Sequence, residues 1–296
     1  MAYSTVLRPT PVSVLLLAGP LTGCGDDKPS EHMRIVSLSP TATEILYAVG
    51  ADDDVVAVDG LSDYPPQARR KSVDKIHAIN PDIGEIMRYR PSLVILADYT
   101  GSDGGKGIIS ELHDRKVNVD LERTPSDLTG AYASIEKLGK LTHHKPQAQK
   151  IVQHMQRKIG TLVKSTPVPP KDTRYYHEID NSYYSATSHT FIGSVYAEFG
   201  IQDIADPYDV EGTGYPKLTP SQIISADPDL VFLADTKCCG QNLKTVRERP
   251  GWKSIKAVRN GRVIEVDDDV SSRWGPRLVD FAETISKTLR KGHSSR

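Results

Sequence analysis

The chain has no stretch that approaches the ~20 consecutive apolar residues of a spanning helix, so no part of its body is expected to cross a membrane. Runs of basic residues are also missing. The 37 Lys and Arg are balanced by 38 Asp and Glu, for a formal net charge of −1. The electrostatic attraction that duplex binding requires is therefore absent, and no nucleic-acid partner is expected. Cysteine is scarce, with only Cys24, Cys238 and Cys239. Without further Cys or a matching His spacing, a structural zinc site is not expected. Catalytic signatures are missing too: there is no His-Glu-x-x-His and no Gly-x-Ser-x-Gly. The segment Gly101-Ser-Asp-Gly-Gly-Lys106-Gly107 lacks the Gly-x4-Gly-Lys spacing of a phosphate loop, and Gly107 stands where a Ser or Thr would hold Mg²⁺. It reads as a flexible loop beside a cleft. No catalytic residue, cofactor or resident metal is expected, and the chain reads as a binder and not an enzyme.

What is present is the composition of an ordinary globular protein, 38% hydrophobic and 25% charged over 296 residues, enough for two modest domains. The N-terminus stands apart. Arg8 is its one early charge, Val12–Ala18 is a short apolar core, and Leu21-Thr22-Gly23-Cys24 has the small residues before Cys that a lipobox needs. Residues 1–23 are read as a lipoprotein signal peptide, Cys24 as the lipidated mature N-terminus, and 24–33 as a polar, flexible tether. The expected location is extracytoplasmic, anchored to the cell membrane by lipid. Cys238 and Cys239 then remain in the folded body. Adjacent cysteines can form a vicinal disulfide, stay as two thiols or act as soft metal ligands; the disulfide is the preferred reading in an oxidising compartment.

Short apolar strands alternate with helical segments, which points to α/β architecture with mostly parallel sheets covered on both faces. Arg34–Leu38 reads as a strand. Thr41 is expected to open a helix with Glu44 as its capping-box partner. Gln147 to Ser165, with Ile151, Met155, Ile159 and Leu162 at helical spacing, reads as one long helix. Two stretches share a phrase, Pro91-Ser-Leu-Val-Ile-Leu-Ala97-Asp98 and Pro228-Asp-Leu-Val-Phe-Leu-Ala234-Asp235, each preceded by a short helix. The expected fold is two Rossmann-like lobes, residues 34–144 and 167–296, bridged by a long helix over 145–166.

Ligands of open parallel sheets bind outside the carboxyl ends of the strands. That rule selects Ser39, Thr41, Tyr64, Asp98, Tyr99 and Thr100 from the first lobe, and Tyr183, Tyr184, Lys237, Arg273 and Trp274 from the second. The tyrosines offer apolar bodies with polar tips. Arg273 offers a planar fork for carboxylate or phosphate, and Trp274 a flat apolar face. His177 reads as a hydrogen-bonded structural residue.

Arg34-Ile-Val-Ser-Leu-Ser-Pro-Thr-Ala-Thr-Glu-Ile-Leu46, the two Pro-x-Leu-Val strands and Arg273-Trp-Gly-Pro-Arg277 together resemble the helical-backbone class of ABC-transporter substrate-binding proteins. Members of that class capture ferric siderophores, haem or cobalamin. The resemblance spans Arg34 to about Lys287. It implies a small-molecule ligand held between the lobes (an iron chelate or corrinoid), a monomer, and delivery to a membrane permease and its ATPase. Family members often carry a Glu seven residues before the Pro of each repeated strand to engage the permease; here those positions are Gly84 and Ser221. Two further readings stay open at this point. One is a surface sensor that keeps the binding fold without transport. The other is a secreted hydrolase using Glu178 or Asp180.

Overall fold

Apolar runs of four or five residues without polar alternation form strands that are buried on both faces. In the computed structural model, which describes Met1 and residues 32–73, 76–100 and 105–294, the runs do this twice. Cys24, the leader and most of the tether lie outside the described residues, as do residues 101–104 of the glycine-rich loop. The first sheet is built by β1 (Ile35–Leu38), α1 (Pro40–Val49), β2 (Val55–Val58), α2 (Ile83–Arg88), β3 (Leu93–Ala97), α3 (Lys106–Asp114) and β4 (Asn118–Glu122). All its pairings are parallel, in the order β2-β1-β3-β4. Then come α4 (Leu128–Leu141) and the 21-residue α5 (Lys145–Ser165).

The second sheet begins with β5 (Arg174–Glu178), α6 (Phe191–Glu198), β6 (Gln202–Asp203), α7 (Pro220–Ala226) and β7 (Leu230–Leu233). It is completed by α8 (Thr236–Cys239), α9 (Leu243–Glu248), α10 (Lys256–Arg259), β8 (Val263–Glu265), α11 (Asp268–Ser272) and α12 (Leu278–Ser294). Its order is β6-β5-β7-β8, again all parallel.

The repeated phrase occupies the same place in both sheets. β3 and β7 are each third in strand order, flanked by the opening strand and the last one. The residue after each Pro also does the same work. Ser92 Oγ accepts the Arg34 N–H at 2.9 Å at the foot of β1, and Asp229 Oδ2 accepts the Arg174 N–H at 3.0 Å at the foot of β5.

One apolar cluster runs through both lobes. It joins Ile35, Ile45 and Leu46 of the first to Tyr175, Phe232 and Phe281 of the second by way of Ile135, Val152, Met155 and Ile159 of α4 and α5. The outer face of each sheet has its own cluster, around Leu96 and Leu112 in the first lobe and around Trp252 and Val258 in the second. A core that crosses the lobe boundary resists wide hinge opening, because separating the lobes would expose packed apolar surface.

The start of α1 differs from the sequence expectation. Pro40 is its first residue and Ser39 its cap, with Ser39 Oγ accepting the Ala42 N–H at 3.2 Å. Proline at the first position has its φ pre-set and wastes no N–H, so the helix begins one residue earlier than Thr41. Glu44 is thereby released from capping and is used elsewhere.

Candidate functional site

The carboxyl ends of β1, β2 and β3 in one lobe and of β5, β7 and β8 in the other deliver the polar and aromatic residues selected from sequence. The structure divides them into two groups. Ser39, Thr41 and Thr100 are buried: Ser39 caps α1, and Thr100 Oγ1 donates to the Ala78 carbonyl at 2.8 Å. Ser39 and Thr100 thus hold local structure in place, and all three present little surface. Asp98 accepts from Thr124, at 2.7 Å from the backbone N–H and 3.1 Å from the hydroxyl, and so ties the end of β3 to the end of β4.

Arg273 and Trp274 cross between the lobes. Arg273 is only 9% exposed. Its Nη1 donates to Glu44 Oε1 at 2.9 Å and Asp63 Oδ1 at 3.1 Å, both from the first lobe, and its Nη2 donates to the Leu61 carbonyl at 3.1 Å and Asp269 Oδ1 at 2.6 Å. Arg277 donates to the same Glu44 carboxylate, Nε to Oε2 at 2.9 Å and Nη2 to Oε1. Burial pushes the Asp63 carboxyl up, but the guanidinium groups of Arg273 and Arg69 outweigh it and hold it below the usual carboxylate range. Trp274 is buried against Phe191, and its Nε1 donates to Glu122 Oε1 at 3.3 Å at the end of β4. Both side chains therefore have their polar groups engaged within the protein. Lys237 is engaged likewise, with Nζ at 2.8 Å from both Asp267 and Asp269.

Some of the tyrosines keep free aromatic surface. Tyr99, after β3, is 45% exposed; Tyr184, beyond β5, is 40% exposed. Burial of the hydroxyl end of Tyr99, followed by the Asp59 carboxylate, pushes its phenol up to about 12. Leu61 and Ile79 are exposed beside the first-lobe loops. Residues 183–187 and 214–218 pair as a short ribbon: Ser185 N–H donates to the Pro216 carbonyl at 3.0 Å, Thr187 N–H to Gly214 at 2.9 Å and Leu218 N–H to Tyr183 at 3.0 Å. This ribbon carries Tyr184 and also Tyr215, which sequence reasoning missed. Burial, then the Asp98 carboxylate of the opposite lobe, pushes the Tyr215 phenol up to about 12. The signal available in sequence was an aromatic held between Gly214 and Pro216 in the loop before α7.

Tyr183 has φ +73 and turns inward to stack on Trp252, 6.0 Å between centroids, with the Arg249 guanidinium 5.4 Å from its ring. Tyr64 lies under Arg277, 4.0 Å from guanidinium to ring centroid, and lines a cavity of about 430 Å³ with Glu44, Tyr47, Asp52 and Arg277. Glu178 and Asp180 do not converge. Glu178 is buried and held bidentately by Arg249 at 2.6 and 2.5 Å, whereas Asp180 accepts from Ser182. His177 is sealed in the core, hydrogen-bonded at 2.9 Å to the Tyr196 hydroxyl, and burial pushes its pKa down to about 3. Cys238 and Cys239 are paired as a vicinal disulfide.

Two parallel α/β lobes that carry exposed tyrosines on strand-end loops, over a shared apolar core, define a two-lobed binding protein. The chain belongs to the periplasmic binding protein family, which it matches over residues 35–270. It is 28% identical over 263 residues to the uncharacterized ABC transporter substrate-binding lipoprotein YvrC of Bacillus subtilis, covering 88% of this chain and 80% of the relative. It is 22% identical over 263 residues to the vitamin B12-binding protein of Photorhabdus laumondii, covering 88% of this chain and 90% of the relative. Its fold superposes on the periplasmic heme binding protein HutB of Vibrio cholerae with a TM-score of 0.75 at 22% identity, over 87% of this chain and 99% of that one. These relatives are binding proteins, and the hydrolase reading is set aside.

Proposed function

We propose that the chain is the substrate-binding component of an ABC importer, held outside the cytoplasm by a lipid on Cys24, and that it captures a corrinoid between its lobes. The observation that carries this reading is the exposure of Tyr99 and Tyr184 on strand-end loops of the two lobes, with Tyr215 on the ribbon that bears Tyr184 and with Leu61 and Ile79 exposed in the first lobe. Apolar faces with polar tips suit a large ring system with amide and hydroxyl groups at its edge.

The state of the basic residues favours a corrinoid over a strongly acidic ferric siderophore. Arg273, Arg277 and Lys237 are all occupied by protein carboxylates, so anionic ligand groups would have to break existing ion pairs. The relatives named as vitamin B12-binding, which align over most of this chain, support the same choice. Delivery to a permease and ATPase follows from the substrate-binding role, with docking contacts other than acids at Gly84 and Ser221. Native mass spectrometry of the full-length protein purified from its own cells tests the ligand. A bound corrinoid is expected; a ferric siderophore or haem in its place would overturn the ligand choice.

A further inference from the structure

Cys238 and Cys239 occupy the last two positions of α8, a single turn at the carboxyl edge of the second sheet, and Cys238 is exposed. One turn has little stability of its own. Its α-helical hydrogen bond is Cys239 N–H to the Asp235 carbonyl at 3.2 Å. Four further hydrogen bonds to the turn are accepted by Asp268 on α11. Oδ1 of Asp268 accepts the Thr236 N–H and hydroxyl, both at 2.8 Å, while Oδ2 accepts the Lys237 N–H at 2.9 Å and the Cys238 N–H at 3.0 Å.

That anchorage leads to the other lobe. Lys237 Nζ holds Asp269 at 2.8 Å, Asp269 holds Arg273 at 2.6 Å, and Arg273 holds Glu44, Asp63 and the Leu61 carbonyl of the first lobe. An exposed disulfide is thus connected to the inter-lobe brace through one helical turn and one acidic loop. We infer that Cys238–Cys239 is a thiol-exchange site, and that its reduction loosens the Arg273 brace between the lobes.

The co-reactant is a dithiol reductant. One of its thiolates attacks the exposed Cys238 Sγ. The Cys238–Cys239 bond breaks, and Cys239 leaves as a thiolate that takes up a proton. The second thiol of the reductant then displaces Cys238 from the mixed disulfide and closes the reductant's own disulfide, so two electrons and two protons enter the protein. Opening the bond removes the covalent tie across the end of α8. The three amides that converge on Asp268 lose their fixed orientation, and Asp269 with Lys237 loosens with them.

The test compares full-chain protein in its oxidised and dithiol-reduced forms by hydrogen–deuterium exchange, with no ligand present. Reduction is expected to speed exchange over residues 236–240 and 268–273 about tenfold while β1 and β5 stay unchanged. A Cys238→Ser/Cys239→Ser double variant should show the fast rate at once and ignore reductant. Equal exchange in the two forms of the wild-type protein, a disulfide that a dithiol does not reduce in the folded chain, or two free thiols in never-reduced protein would each overturn the inference. The readout needs no ligand, so its failure leaves the proposed ligand untouched, and failure of the ligand reading leaves this result standing.

Discussion

Arg273 and Glu44 stand 229 positions apart in the chain and 2.9 Å apart in the fold, each nearly removed from water. The pair joins the segment before α12 to the first helix of the other lobe. Two buried charges are stable together only because each is fully engaged, Glu44 by two arginines and Arg273 by three carboxylates and a carbonyl.

Removing the shared acid should therefore cost far more than removing a surface charge. Glu44→Ala leaves Arg277 without the carboxylate it donates to and Arg273 short of one, with an expected loss of about 3 kcal/mol. Glu111→Ala, which breaks the exposed pair with Arg115, should change stability by about 0.5 kcal/mol or less. Urea unfolding of both variants gives the comparison, and equal losses would contradict a buried brace.

Asp235 predicts a pH dependence. It is fully buried, and burial, followed by the charge of Glu178 and a side-chain hydrogen bond with it, pushes its pKa up to about 8. In the folded chain it keeps a proton that the unfolded chain releases near its ordinary value, so the folded state binds more protons between those two limits. Its contribution to stability is full below about pH 4, declines as pH rises toward about 8, and is level above that. Asp235→Asn should flatten the decline. Unfolding midpoints for the variant and wild type at about pH 5 and about pH 8 check the sign.

Gly193 predicts a steric effect. A Cβ there would lie 2.1 Å from the Thr187 carbonyl oxygen and 2.6 Å from Ser188 Cα, so α6 and the ribbon bearing Tyr184 could not stay in their present contact. Gly193→Ala should cost about 1–3 kcal/mol by overpacking. Thermal unfolding measures it, and an unchanged midpoint would show that the contact is not tight.

The lipid anchor has its own test. The wild-type protein should fractionate with membranes and Cys24→Ala should not, while both give the same unfolding midpoint. Membrane association that survives the substitution would remove Cys24 from the anchor.

The strands were legible because burial on both faces leaves uninterrupted apolar runs such as Leu93–Ala97 and Leu230–Leu233. The repeat was legible for the same reason, and it maps onto equivalent strands. The brace was not. Glu44 lies three residues after Thr41 and reads locally as a capping-box acid, whereas its real partners are more than two hundred positions away. Local spacing carries no trace of such a pairing. Arg273 and Trp274 looked like ligand groups because a charged fork and a flat ring before a Gly-Pro step suit that task, and the same chemistry also suits a lobe-to-lobe contact. Tyr215 was missed because its position depends on the ribbon formed by residues 183–187 and 214–218, a pairing across a long loop.

The central claim is that a corrinoid binds between Tyr99, Tyr184 and Tyr215. Calorimetric titration of the mature protein with cyanocobalamin, alongside Tyr99→Ala, Tyr184→Ala and Tyr215→Ala, tests it most directly. The account predicts saturable one-to-one binding to the wild type, weakened about tenfold or more by each truncation while folding is retained. Absence of binding, or binding indifferent to all three tyrosines, would contradict it.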